Sequence, residues 1–374
     1  MRFATADLPG VPATLGSAPE DFVVEELPLY EPSGEGPHTY LTVEKRNLST
    51  LDAVRTLARH FQLDARDLGT AGMKDRRAVT SQHISVPGLD PARAEGLTLE
   101  AAGGSLRVLA ARRHGNKLKT GHLTGNRFAL VLDLPAGADP AEAAARAQAT
   151  LDRLTITGVP NYYGEQRFGA AGDNAAKGRE ALAGRGPRDP RERRLVISAL
   201  QSTLFNQVLE VRLADGPPRR LLLGDLAGRP GGHRQFRVED VAREQPRADA
   251  GEIVPTGPMF GPKMSVPTPG SPAANLEESI LTDAHLSLQD FARAGRLAEG
   301  TRRDLAFTVT TPTASHAAGR LHLGFSLPRG AYATIVLGEL TKSQAPVRAP
   351  VRGEAGSPAQ TPDPDSDPEE VEAP

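Results

Sequence analysis

Strand-like and helix-like stretches follow one another along this chain without the regular strand–helix–strand alternation that a doubly wound parallel sheet requires. Residues 22–26 and 39–45 read as two strands separated by a Pro/Gly-rich turn. In the second, Leu41 and Val43 alternate with Thr42 and Glu44, the pattern of a half-buried strand. A helix follows, capped by Ser49 or Thr50, with Leu51, Val54, Leu57, Ala58 and Phe61 at helical spacing. Further strands are expected at 83–86 and 127–134, then an Ala-rich helix at 140–154 begun by Asp139 and Pro140. A second region opens near Gly158. It contains a long amphipathic helix, 191–213, with Leu195, Ala199, Leu200, Leu204, Val208 and Val211 facing inward, and a loop-heavy stretch, 217–275. Strands return at 302–311 and 320–327, and a helix at 331–342 closes the folded part. The expected class is α+β with a mixed or antiparallel sheet. Beyond Lys342 the chain is rich in Pro, Asp and Glu, a composition expected to stay disordered.

A length of 374 residues allows two domains. With no cysteine there is no disulfide framework, thiol nucleophile or Cys-ligated zinc. No apolar run is long enough for a membrane span, and the start, MRFATADLPG, lacks a signal-peptide core, which favours the cytoplasm. The net charge of −2 conceals a division: residues 343–374 carry −5, leaving +3 for the rest. Between Ala101 and Arg127 stand Arg107, Arg112, Arg113, Lys117, Lys119 and Arg127 with no acid among them. Such a run suits phosphate contact, although a solvated surface loop is its ordinary explanation.

The segment AGMKDRRAVTSQH, 71–83, places Asp75 between Lys74 and the pair Arg76 and Arg77. Neighbouring cations favour an ionised carboxylate. Such a group can serve as a structural ion-pair partner, a base or a nucleophile, and the residues alone leave all three open. Tyr162, Tyr163 and Tyr332 lie in polar, glycine-punctuated stretches of a chain with only five Tyr and no Trp. Such rings can stack on unpaired bases or pack inside a core. The nine His show no metal-binding spacing, GEG at 34–36 is not completed to a phosphate loop, and no GxSxG elbow occurs. Neither a metal nor a nucleotide cofactor is indicated.

Four stretches in order, AGMKDRRAVTSQ, GNRF (125–128), GVPNYYGEQRFG (158–169) and SALQSTLFN (198–206), resemble the tRNA pseudouridine synthase D (TruD) family. PEDFVVEE, GEGPH, PTGPMFG and LPRGAYATIVLGEL extend the resemblance over nearly all of residues 15–342. It implies a pseudouridine-synthase catalytic domain, 1–157 plus 306–342, interrupted by an inserted α+β TRUD domain, 158–305. The implied activity is isomerisation of uridine 13 of tRNA to pseudouridine, without a cofactor. The family's nucleophilic Asp falls on Asp75, and its substrate-contacting positions fall on Phe22, Asn126 and Tyr332. Phe128 resembles the ring that stacks on the target base. Where some members carry a Lys just before P-E-D-F, this chain has Gly16. Lys74, Arg76 or another arginine would then supply the positive field.

A carboxylate suffices for this chemistry. It can attack the sugar or the base ring, or stabilise charge as the base departs, with no redox centre or metal. The target nucleotide must leave its stack to be reached. Arg112, Arg113, Lys117, Lys119 and Arg167 are candidates for RNA contact, together with the arginines of 219–247. PNYYGEQRFG reads equally as a packed turn, with Arg167 and Glu165 as a structural pair. Two rivals remain open: an RNA-binding or RNA-folding factor using the same groove without catalysis, and an N-glycosidic hydrolase using Asp75. Nothing in the sequence demands more than a monomer.

Overall fold

Apolar and polar residues alternate through the strands of a large mixed sheet, and that sheet carries the Asp75 loop. The computed structural model describes residues 1–343 other than Ala102 and Ala170. Two compact units emerge among the described residues, one of 12–145 with 310–330, the other of 1–11, 146–309 and 331–343. From residue 344 on, the acidic tail and its expected disorder lie outside the described residues.

In the first unit the strand order is Thr310–Ala317, Arg320–Pro328, Leu123–Asp133, Phe22–Pro28, Val79–Pro87, His38–Arg46, Gly104–His114, Thr98–Ala101. Phe22–Pro28 runs parallel to Val79–Pro87, and its other neighbour, Leu123–Asp133, is antiparallel to it. The expected mixed sheet is therefore present, and each strand runs beyond its expected limits at one end or both. The helix Thr50–Phe61 begins at Ser49, whose side chain accepts from the Asp52 amide. Its Val54, Leu57, Ala58 and Phe61 form one core with Leu41, Val43, Ile84, Val86, Leu106 and Val108 of the sheet. Each large apolar side chain buried there contributes about 1.5–3 kcal/mol.

The second unit is built on the helix Pro190–Asp215. Ala199, Leu200, Leu204 and Val208 are buried as expected, but Leu195 and Val211 are 40% and 45% exposed. Each is rotated by about 100° from a buried neighbour, Val196 or Arg212, and so leaves the covered arc. The stretch expected to be loop-heavy contains the strands Leu226–Gly228, Gln235–Arg237 and Val254–Met259 and the helices Val241–Asp249 and Pro272–Asp283. These strands are short and Pro/Gly-punctuated, so their periodicity does not show in the sequence. The 302–311 stretch also divides, into Thr301–Asp304, Ala306–Phe307 and the start of Thr310–Ala317. Among the described residues no helix is long and apolar enough to cross a membrane.

The turn that launches the Phe22 strand explains Gly16. Asp21, buried in the P-E-D turn, accepts from the Ala18 amide at 3.0 Å and pairs with Arg320 Nη1 at 2.8 Å. Arg320 Nε also binds Asp133 Oδ1 at 2.7 Å. A Cβ on Gly16 would collide with both the Asp21 carboxylate and the Arg320 guanidinium. The space that a side chain would fill is occupied by this ion pair. We therefore expect Gly16→Ala to destabilise the protein by about 1–3 kcal/mol in urea unfolding, whereas unchanged stability would mean that the pair moves aside without cost.

Candidate active site

Asp75 sits in the loop between the strands Gly69–Thr70 and Val79–Pro87. It is exposed, and its carboxylate makes no hydrogen bond or ion pair with the described residues. The backbone on either side of it is held closely. The Lys74 amide donates to Thr50 Oγ1 at 2.9 Å, and that hydroxyl donates to Gln82 Oε1 at 2.9 Å. Lys45 Nζ donates to the carbonyl oxygens of Leu48 at 2.6 Å, Asp75 at 2.8 Å and Lys74 at 3.4 Å. One flanking strand thus takes part, since Lys45 belongs to His38–Arg46, the neighbour of Val79–Pro87.

The other side is held by Glu26. Its side chain is 1% exposed and accepts from Lys74 Nζ at 2.7 Å, the His83 amide at 2.9 Å and the His83 ring at 3.2 Å. Burial pushes the Glu26 carboxyl up, but the His83 hydrogen bond and the Lys74 charge outweigh it and hold the group below its ordinary value. The Lys74 ammonium, an expected electrostatic support for Asp75, is therefore directed at Glu26. Arg76 is exposed beside Asp75.

Asn126 lies directly across from Glu26 in the antiparallel register, and Phe128 across from Val24. The glycine of GNRF permits close approach of the strand on the other side, Arg320–Pro328, because a Cβ on Gly125 would strike the Leu327 carbonyl oxygen. Asn126 Oδ1 is buried and has no partner among the described residues. Phe22 and Phe128 meet edge to face at 6.2 Å between centroids, and Phe325 stands 5.6 Å from Phe128. Four of the residues singled out in the sequence, Asp75, Phe22, Asn126 and Phe128, therefore share one sheet and its flanking loop.

The others are placed differently. Tyr332 belongs to the second unit, half-buried at the N-cap of the helix Ala333–Thr341. Arg112 and Lys119 are exposed. Lys117 is half-buried with Nζ on the Arg66 carbonyl at 2.6 Å, and Arg113 reaches the Gly36 carbonyl at 3.3 Å. Arg167 is 4% exposed. Its Nε donates to Ser202 Oγ at 3.2 Å, another guanidinium nitrogen meets Ser198 Oγ, and the group lies 5.3 Å from the Tyr163 ring centre. This packing corrects two expectations: Arg167 offers little surface to a phosphate, and its contacts are two serines of the long helix rather than Glu165. Tyr162 and Tyr163 are buried too, with the Tyr162 hydroxyl on Glu210 at 2.9 Å. They are interior rings, not stacking platforms.

Sequence reasoning passed over Glu26 and Lys45. A signal was present in both cases. Phe22, Val24 and Glu26 share one phase of their strand, and Leu41, Val43 and Lys45 share one phase of theirs. A charged residue that continues the inward phase of a strand must find partners in the interior.

Known proteins share this arrangement of chain. A family profile described as tRNA pseudouridine synthase D (TruD) matches residues 1–185 and 189–340. A tRNA pseudouridine synthase D of Anaeromyxobacter dehalogenans (strain 2CP-C) is 46% identical over 353 residues, covering 92% of this chain and 97% of the relative. One from Geobacter sulfurreducens is 40% identical, covering 91% and 97%. The crystal structure of a Methanosarcina mazei protein, described as a candidate tRNA pseudouridine synthase D, superposes with a TM-score of 0.76 at 23% identity, over 92% of this chain and 96% of that one. The last supports the fold, and the mixed sheet agrees with it. By the profile match and the extent of identity, this chain belongs to the tRNA pseudouridine synthase D family of isomerases.

Proposed function

We propose that this protein isomerises uridine 13 of tRNA to pseudouridine, with Asp75 as the nucleophile, Phe22, Asn126 and Phe128 beside the extruded base, and Tyr332 as a further substrate-binding ring. Family membership supports the reaction class. The observation that carries the site is the Asp75 carboxylate, exposed and without a hydrogen bond or ion pair among the described residues, on a loop whose main chain is held by Lys45 of one neighbouring strand and whose Lys74 side chain is held by Glu26 of the other. A nucleophile needs that combination of fixed position and free lone pairs.

The chemistry follows from what the groups can do. The carboxylate attacks sugar or base, the glycosidic C–N bond breaks, and the base turns to present C5 to the sugar. A C–C bond then forms, the bond to the Asp75 carboxylate breaks and frees it, the C5 proton leaves, and N1 of the base takes up a proton. Atoms balance, and no redox partner enters. Asn126 Oδ1, buried without a protein donor, is suited to accept from the N3–H of uracil. Phe22 and Phe128 supply an apolar wall. Arg112 and Lys119, exposed, together with Lys117 and Arg113 at the edge of the same segment, would follow the phosphates and give affinity rather than base selection. The catalytic domain of this reading is 1–157 plus 306–342, and the inserted domain is 158–305. It acts as a monomer in the cytoplasm.

Tritium release from [5-³H]uridine-labelled tRNA tests the assignment. Wild type should release tritium, and Asp75→Asn should lose about three orders of magnitude or more while still binding tRNA. Loss of base mass from the RNA would instead mean hydrolysis, and binding without release by wild type would mean a non-catalytic RNA-binding factor. Glu26→Gln removes the charge that holds Lys74. Breaking such a buried pair costs about 3–5 kcal/mol, so a lower unfolding midpoint and slower release are expected together. A midpoint equal to wild type would show that the pair does not anchor the loop.

A further inference from the structure

Lys45 is a fully buried lysine, and its ammonium has no carboxylate within ion-pair distance among the described residues. A buried charge without such a partner is costly, and an aliphatic residue would fill the position more cheaply. The strand's own pattern makes the exception visible, because Leu41 and Val43 precede Lys45 on the same inward phase and both belong to the core. What the ammonium does hold is specific. Its contacts are the carbonyl oxygens of Leu48, Lys74 and Asp75, that is, the entry to the helix Thr50–Phe61 and two successive residues of the candidate catalytic loop. Thr80, directly opposite on the neighbouring strand, keeps its hydroxyl without a partner among the described residues. The ammonium is committed to the loop instead of to the hydroxyl of its cross-strand partner.

We propose that Lys45 is a positioning residue for Asp75: its ammonium, sealed beneath the loop, gathers the Leu48, Lys74 and Asp75 carbonyls and so fixes where Asp75 presents its carboxylate. This rests on the reading of Asp75 as nucleophile. Gripping the main chain has a chemical advantage over gripping the side chain. A direct Lys45–Asp75 ion pair would occupy the lone pairs that must attack, whereas a bond to the Asp75 carbonyl leaves them free. The Asp75 charge still reaches Lys45. Burial pulls the ammonium down to about 7, and Asp75 acts in the opposite direction, against Lys74. Lys45 thus supports the loop electrostatically as well as sterically, a role for which Lys74, paired to Glu26, is less free.

The experiment compares full-length wild type, Lys45→Met, Lys45→Gln and Asp75→Asn by single-turnover tritium release at saturating enzyme, with tRNA affinity measured by filter binding and folding by circular dichroism. Lys45→Met should slow release about a hundredfold, the scale of a misplaced reacting group, with tRNA affinity within about threefold of wild type. Lys45→Gln keeps N–H donors, one bond shorter in reach, and should recover part of the rate. If Lys45→Met does not fold, Lys45→Gln decides by the same criterion, with an expected loss of about tenfold. A folded variant that releases tritium at the wild-type rate overturns the proposal. So does a loss of rate matched by an equal loss of affinity, which would mark a merely structural residue. Asp75→Asn separates the two readings: if it turns over normally, the site assignment fails whatever Lys45 does.

Discussion

A carboxylate that is to attack carbon must be held still by something other than its own oxygens. For Asp75, the proposed nucleophile, that constraint is met by two buried charged side chains on the strands flanking its loop. Lys45 takes the main chain of the loop through its carbonyls, and Glu26 takes the side chain of the preceding residue, Lys74. Thr50, the first residue of its helix, takes the Lys74 amide. The loop is fixed through its backbone and its neighbour, and the Asp75 carboxylate is left to face solvent.

The sheet exists in a form that makes this possible. The strand leaving the loop, Val79–Pro87, is central, with Phe22–Pro28 parallel on one side and His38–Arg46 antiparallel on the other. Glu26 and Lys45 therefore reach the loop from opposite neighbours. The same register puts Asn126 opposite Glu26, so that the group suited to the base edge and the group that anchors the loop are cross-strand partners. Arg320 secures the turn before Phe22 through Asp21 in the room left by Gly16, which places the aromatic wall. Each of these contacts links distant parts of the chain, and none follows from local propensity.

Much of this was legible in the chain itself, for particular reasons. Leu41 and Val43 alternate, and Val54, Leu57 and Phe61 recur at helical spacing, because burial of one face imposes those periods. The Asp75 loop stood out because a carboxylate among cations is chemically conspicuous. Glu26 and Lys45 were harder. Their position in the inward phase was readable, but a charged residue at a strand end can equally turn out to water, and only the packed loop above them settles which way they face. Arg167 shows the converse. Its motif is polar and glycine-rich, like an exposed loop, yet the helix Pro190–Asp215 brings Ser198 and Ser202 to its guanidinium and encloses it.

The sequence by itself determined the class of fold and the family, and it singled out Asp75 as the candidate carboxylate, since hydrophobic period and a dense local motif are properties of neighbouring residues. The tertiary structure decided which lysine holds the Asp75 main chain. Lys74 is adjacent in sequence but is turned to Glu26, while Lys45, thirty positions earlier, lies beneath the loop. The reason is physical: desolvation obliges a buried ammonium to find oxygens wherever the fold provides them, and strand pairing alone brings those oxygens within reach.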